Sequence, residues 1–358
     1  MQHYSVLELF AGAGGLALGL EKAGFKSCLL NEFNKDACAT LRKNRPDWNV
    51  VEGDVSTIDF TEYRDKVDVL AGGFPCQAFS MAGKRLGFDD IRGTMFYEFA
   101  RAVKEVNPKF IVAENVIGLL SHDGGKTLET ITNVIDDLGY TLVKPTVLKA
   151  VQHGVPQRRE RLVLVGIRKD LVEQTFFTYP KPLDEMFTLR DALMAGKLYD
   201  TDVPESTNPT YSQRKSEIMD MVEPGKNWKS LPEDIQVEYM KNSLYGGGGR
   251  TGYARRLAWD EPSLTLTCSP AQTQTERCHP DETRPLTVRE YARIQTFPDE
   301  WEFEGSMSSV YKQIGNAVPV NLGYEIGRSL QNALKTLTKT VLHLSDAEMV
   351  DGGRNLDY

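Results

Sequence analysis

The chain has 358 residues, of which 41% are hydrophobic, 26% charged and 9% aromatic, an ordinary globular composition with enough apolar residues for a sizeable core. Its formal net charge of −8 sits awkwardly with a nucleic-acid partner, although only the local charge of a binding face decides that question. No apolar run approaches bilayer length and the Met1-Gln2-His3-Tyr4 start lacks a leader's basic and apolar regions, so membrane, secreted and disordered classes are set aside.

In chain order, Val6-Leu7-Glu8-Leu9-Phe10 is the first strand candidate, followed by Cys28-Leu29-Leu30, Val50-Val51 and Val67-Asp68-Val69-Leu70. Phe96, Phe99, Ala100, Val103 and Val106 then recur at helical spacing. Phe110-Ile111-Val112-Ala113 is the next strand, Leu128, Ile131, Ile135 and Leu138 the next helix, and Arg161 to Val165 another strand. Strands alternating with helices at this rhythm predict an α/β fold, a parallel sheet with helices on both faces. After Tyr179-Pro180-Lys181-Pro182 the chain turns irregular, with Gly246 to Gly249 in a row, and residues 183 to 285 read as a second, smaller domain. Helical spacing returns through Leu322, Ile326, Leu330 and Leu334, and the polar, acidic residues from Ser345 onward read as a loose tail. The five cysteines, Cys28, Cys38, Cys76, Cys268 and Cys278, are odd in number and scattered, which argues against a disulfide framework and fits a reducing cytoplasmic setting. Cys268 and Cys278-His279 form no C-x-x-C pair, so no metal site is expected.

In an open parallel sheet, ligands sit at the carboxyl ends of the strands. The first strand runs into Phe10-Ala11-Gly12-Ala13-Gly14-Gly15-Leu16, a turn that lets a ligand approach the backbone. The second ends at Asn31-Glu32, with Glu32 twenty residues after Gly12, where a carboxylate gripping a ribose is usual. The following ends bring Gly53-Asp54, then Gly73-Phe74-Pro75-Cys76-Gln77, then Glu114-Asn115. Singly, each has an ordinary structural explanation: a tight turn, a solvated acid, a small buried thiol. Together they place a glycine loop, three carboxylates and a thiol on one rim. The glycines do not follow the G-x-G-x-x-G register and no Walker lysine is present, which favours a nucleoside without a pyrophosphate, with S-adenosylmethionine the foremost candidate.

These residues resemble the DNA (cytosine-5)-methyltransferases of bacterial restriction–modification systems. The resemblance runs from Phe10 to about Gly327 and is carried by six blocks in the family's order. They are Phe10 to Gly15, Gly73 to Ser80, Glu114-Asn115-Val116, Gly154 to Arg161, Arg284 to Glu290 and Gln313 to Pro319. The resemblance implies a Rossmann-like S-adenosylmethionine-dependent methyltransferase fold with a smaller target-recognition domain. It divides the chain into a catalytic part at 1–182, a recognition part with its hinge at 183–307, a returning catalytic part at 308–341 and a tail at 342–358.

It also implies roles. Cytosine C5 is a poor nucleophile until a thiolate adds at C6, and Cys76 matches the residue that does so. Glu114, which needs a raised pKa, would serve the base's N3. Arg161 would hold its O2 edge, with Arg159 supporting Glu114 and the backbone phosphate. Around the cofactor, Phe10 would pack on the adenine or sulfonium region, Glu32 would take the ribose hydroxyls and Asp54 the adenine amino group. Phe33 and Val55 would sandwich the purine, and Asn316 and Ala317 would reach the methionine moiety. Ala11, Gly12, Gly14, Gly15, Leu16 and Pro75 would complete the binding loop.

The partner implied is double-stranded DNA with the target base flipped out, in a system that can include a restriction endonuclease or partner subunit. Ser80 to Gly93, with Lys84 and Arg85, resembles a closing loop, and Arg250 in the glycine run is a candidate reader of guanine. With Lys84, Arg85 and Arg250, the arginines Arg158, Arg159, Arg161, Arg255 and Arg256 form a candidate basic cleft that would answer the acidic net charge. Other readings are weaker on the residues. A tRNA methyltransferase of the same family would carry a Cys-Phe-Thr tripeptide, which the chain lacks. A non-catalytic homologue would lose Cys76 or the cofactor acids, an NAD oxidoreductase would need the other glycine register, and an adenine methyltransferase would carry an Asp/Asn-Pro-Pro-aromatic motif in place of the cysteine.

Overall fold

A computed structural model describes residues 3–75, 94–246 and 251–351, with side chains to residue 337. Its centre is an eight-stranded sheet. Strands β1 (Tyr4–Leu9), β2 (Phe25–Glu32), β3 (Val50–Glu52), β4 (Val69–Gly72) and β5 (Phe110–Val116) run parallel in the order β3-β2-β1-β4-β5. The sheet is not parallel throughout, as strand–helix alternation predicts. The long β9 (Glu160–Arg168) lies antiparallel to β5, and β6 (Tyr140–Leu142) and β7 (Thr146–Lys149) both pair antiparallel with β9. Neither short strand stands out in the sequence, because each holds too few residues to establish a period.

Alternation of side chains across the strands divides the core into two faces. Leu7, Leu9, Leu70, Ile111, Leu162 and Leu164 pack with α3 (Met95–Val106) and α4 (Lys126–Asp137). Val6, Val69, Val112, Val163 and Val165 pack with α1 (Gly15–Lys22) and the first half of α10 (Val320–Asp351). Helix α3 forms where Thr94 caps it, accepting from the Tyr97 amide, and ends where Asn107 turns left-handed at φ 52°. The backbone of α10 continues to Asp351 through residues that the sequence suggests are a loose tail, because no glycine or proline falls between Gly327 and Gly352.

Beyond Pro182 lie α5 (Leu189–Leu193), α6 (Gln213–Asp220), α7 (Glu233–Met240), α8 (Val288–Ile294) and α9 (Met307–Asn316). A separate apolar cluster gathers Ile218, Met219, Trp228, Leu231, Met240 and Tyr253. By contrast Leu189, Leu193, Leu266 and Leu286 share a cluster with Leu18, Leu41 and Trp301, so this segment is also packed onto the sheet region. The short β10 (Ser263–Leu264) pairs in parallel with β8 (Gln157–Arg158), directly before β9.

Candidate active site

The carboxyl ends of β1, β2, β4 and β5 open onto a cavity of about 720 Å³. Phe10 leaves β1 in the left-handed region at φ 58°, a conformation that costs a bulky residue free energy and that recurs at functional turns. Phe10, Ala11, Gly12 and Leu16 line the cavity on that side. Glu32 closes the turn, its Oε2 accepting from the Gly12 amide at 2.8 Å and its Oε1 from Asn34 at 2.7 Å. Phe33, 76% exposed, projects at the mouth, with Asp54 and Val55 on the neighbouring wall. The Ser56 amide bonded to Asp54 holds that carboxyl below its ordinary pKa, so it stays ionised. Pro75, Asn316 and Ala317 complete the lining.

Gly14 and Gly15 do not line it. A Cβ on Gly14 would lie 2.6 Å from Leu41, and one on Gly15 would lie 2.1 Å from the Val318 carbonyl oxygen. Their service to the cavity is indirect: Gly15 lets the turn press against the segment that carries Ala317, and Gly14 packs against Leu41 and Trp301.

Glu114 lines this cavity, and its ion-pair partner Arg161 lines a second one. On the antiparallel pair β5–β9, Glu114 faces Val163 and Val116 faces Arg161, so Glu114 and Arg161 are diagonal neighbours on one side of the sheet. Their ion pair measures 2.5 Å with both side chains nearly out of solvent. Burial raises the Glu114 pKa, while Arg161 and then Arg159 pull it back down. Gly73 leaves room for the carboxyl, since a Cβ there would lie 3.1 Å from its Oε2. Beside Arg161 the second cavity, about 500 Å³, is lined by Val116, Ile117, Arg158, Met186 and Thr265 among others.

Arg159 departs from expectation. It is 1% exposed and gives its guanidinium to the carbonyls of Leu266 (3.2 Å) and Asn316 (3.4 Å). It nonetheless lines the second cavity, and its charge lowers the pKa of Glu114. Arg256 also leaves the expected basic cleft: it is 5% exposed and donates to the Met219 carbonyl and Thr283 hydroxyl, both at 2.7 Å. Cys76, Ser80, Lys84, Arg85 and Arg250 lie outside the described residues. Asn115 nonetheless ties the segment that leads to Cys76, donating to the Phe74 carbonyl at 2.9 Å while accepting from the Val116 amide.

Some residues at the site are not evident from sequence. Glu8, 3% exposed in β1, lines the first cavity; burial, then the nearby Glu32, pushes its carboxyl up to about 8, and its Oε2 finds no hydrogen-bond partner among the described residues. The signal available was a carboxylate between two leucines of a buried strand. Gln157 and Gln295, both fully buried, donate and accept in a chain: Gln157 Nε2 to Gln295 Oε1 (2.9 Å), and Gln295 Nε2 to the Ile314 and Ala317 carbonyls. Gln157 Oε1 accepts from the Leu266 amide. This network joins β8 to the segments bordering both cavities, which sequence spacing could not reveal.

The family model for C-5 cytosine-specific DNA methylases matches residues 4–332. The chain belongs to that family. As a family member it is an enzyme, a methyltransferase that acts on DNA. It is similar to the Type II methyltransferase M.Eco47II of Escherichia coli, at 68% identity over 94% of this chain and 81% of the relative. It is 52% identical to the Type II methyltransferase M.Sau96I of Staphylococcus aureus over 92% of this chain and 76% of that one. Among solved structures, a chain encoded within an Escherichia coli prophage superposes with TM-score 0.71 at 24% identity, covering 93% of this chain and 99% of its own. The Schizosaccharomyces pombe Dnmt2 methyltransferase gives TM-score 0.58 at 18% identity, covering 93% and 99%. These two support the methyltransferase fold. Among the described residues, no helix is long and apolar enough to cross a membrane.

Proposed function

We propose that this DNA cytosine-5 methyltransferase modifies a flipped-out cytosine within a specific duplex sequence, as the protecting partner of a restriction–modification system, with Cys76 as nucleophile. The observation that carries the reading is the Glu114–Arg161 pair: a buried carboxyl of raised pKa that lines one cavity, bonded to an arginine that lines the other. Methyl transfer between two bound molecules needs two adjoining sites, and a flipped base needs a cavity of its own.

The first cavity suits S-adenosylmethionine by its donor set. It offers the Glu32 carboxylate on the glycine turn, the ionised Asp54, apolar Phe10 and Val55, exposed Phe33, and the orphaned carboxyl oxygen of Glu8. Bound there, the cofactor would supply the electrophilic methyl group. On the base side, the Cys76 thiolate adds to C6 while Glu114 supplies a proton to N3, which leaves C5 as an enamine carbon. Once C5 carries the methyl group, loss of its C5 proton and of the thiolate, with return of the N3 proton to Glu114, restores the aromatic ring. Arg161 orients Glu114 and meets the O2 edge, and Arg159 supports both from beneath. Ser80, Lys84, Arg85 and Arg250 serve DNA closure and reading. The working division is catalytic at 1–182 and 308–341 and recognition at 183–307.

The test is transfer of label from S-adenosylmethionine to genomic DNA and, in parallel, to tRNA, followed by nucleoside analysis. 5-Methylcytosine in DNA is expected, and bisulfite sequencing of that product gives the recognition site. Label in tRNA alone overturns the reading.

A further inference from the structure

The wall of the base-side cavity carries an unusual concentration of arginine for a chain of net charge −8. Arg158 lines that cavity on β8, directly before Arg159 and three residues before Arg161. Across β10, Arg255 approaches from the recognition segment, and the only carboxylate between the two guanidinium groups among the described residues is Glu261. Glu261 Oε2 lies 3.4 Å from an Arg255 nitrogen and 4.0 Å from an Arg158 nitrogen, so it holds both loosely and neither tightly. Its backbone is fixed, the carbonyl accepting from the Leu189 amide at 2.9 Å, while its side chain is 47% exposed and free to swing away. The Arg255 side chain is only 13% exposed, and its Nε finds no hydrogen-bond partner among the described residues.

Two more arginines stand behind this wall without a paired carboxylate. Arg159 and Arg277, 1% and 4% exposed, donate to the neighbouring carbonyls of Leu266 and Thr265, and each has an unpartnered Nε. Burial lowers the pKa of both. Between Arg158 and Arg255 the shared carboxylate is thus loosely held, with Glu160 elsewhere on the cavity wall. Such a site favours an arriving anion that can accept from two arginines at once, and a phosphodiester does this well.

The geometry points to Arg158 and Arg255 as a clamp for a DNA backbone phosphate beside the target cytosine, with Glu261 as the internal carboxylate that occupies the clamp until DNA displaces it. The inference rests on the reading of the chain as a DNA methyltransferase and extends it to a particular contact and its competitor. Glu261 keeps the two arginines apart from each other's repulsion in the free enzyme. It also sets a threshold: DNA gains the clamp only by displacing a resident charge, which lowers affinity for duplex that makes no other contacts.

The test is duplex binding, with the duplex carrying the site mapped from the enzyme's own product, measured against salt concentration for the wild type, R158A, R255K, R255A and E261Q. R158A and R255A are expected to reduce the slope of log K against log salt by about one each, on both cognate and unrelated duplex. E261Q, isosteric and exposed, is expected to bind several-fold tighter. A single neutral methylphosphonate linkage next to the target cytosine is expected to weaken the wild type and leave R255A nearly unaffected. R255K, which keeps the charge but loses the fork, is expected to fall between the wild type and R255A. An E261Q variant that binds no more tightly overturns the placeholder. Arginine variants that keep the full salt slope but lose sequence discrimination overturn the clamp, since they would then be reading bases. Failure of the wild type to methylate any duplex sinks the functional reading instead, which separates the two failures.

Discussion

Arg161 Nε lies 2.5 Å from Glu114 Oε1 across the antiparallel pair β5–β9, with both side chains nearly excluded from water. Burial favours the neutral acid and Arg161 favours the carboxylate, so the pair balances two opposing effects on one proton. That balance suits a group that must donate to the base and then recover its proton.

It also fixes the sign of a pH effect. A step that needs protonated Glu114 slows as pH rises through its raised pKa. Removing Arg161 takes away the largest influence that lowers this pKa, so R161A is expected to carry the alkaline limb of kcat to higher pH, together with weaker binding of the target duplex. E114Q is expected to lose at least about 100-fold in kcat, the ordinary scale of a lost general acid, while still binding cofactor. Single-turnover methyl transfer across pH checks both. An alkaline limb that moves to lower pH in R161A contradicts the assignment.

Glu8 makes a separate prediction about stability. Its carboxyl titrates at about 8 in the fold, against 4.5 for the ordinary group, so between these values the folded protein binds a proton that the unfolded chain has released. Stability therefore falls as pH rises through this window, by up to about 1.4 kcal/mol per pH unit. Below pH 4.5 both states are protonated and the effect vanishes; above 8 it is complete. E8Q is expected to remove the slope, so urea unfolding of wild type and E8Q at pH 5, 6, 7 and 8 should diverge steadily in favour of the variant. Parallel curves would show that Glu8 is ionised throughout.

The Gln157–Gln295 pair is expected to be expensive to break. Q157A leaves the Leu266 amide and Gln295 Oε1 without their partners in the interior. Each unsatisfied buried group costs about 1–3 kcal/mol, and denaturant unfolding reads the sum. A loss under about 0.5 kcal/mol would mean the network is not buried as described.

Gly15 tests the packing beneath the cofactor cavity. G15A places a methyl group 2.1 Å from the Val318 carbonyl, so the segment carrying Ala317 must shift. The expected cost is about 1–3 kcal/mol of stability, with a larger loss in S-adenosylmethionine affinity than in duplex affinity. Calorimetric titration with each ligand checks the ratio. Equal losses would point to general destabilisation.

Much of the site was legible because its parts are local in sequence. The Phe10–Leu16 turn, Glu32, Asp54, Pro75 and Glu114 each end a strand, and strand ends of one sheet must converge. What was not legible depends on tertiary context. Arg159 reads as one more solvated arginine in Arg158-Arg159-Glu160-Arg161, and only the packing of Leu266 and Asn316 over it makes it a buried strut. Arg256 sits beside Arg255 in sequence, yet one is enclosed by carbonyls and the other faces the cleft wall. β6 and β7 escaped because three and four residues carry no period, so the antiparallel edge of the sheet came only from the structure. In sequence Glu8 is a lone carboxylate in a strand that reads as apolar.

The most direct measurement uses a duplex carrying 5-fluorocytosine at the target position, incubated with S-adenosylmethionine and either the wild type or C76S. Fluorine at C5 cannot leave as a proton does, so a covalent path stops with the protein attached to C6. The expected result is a denaturation-resistant protein–DNA complex with the wild type, one equivalent of methyl group in it, and none with C76S. Methylation of ordinary duplex by the wild type without any such complex, or full activity in C76S, would contradict nucleophilic catalysis by Cys76.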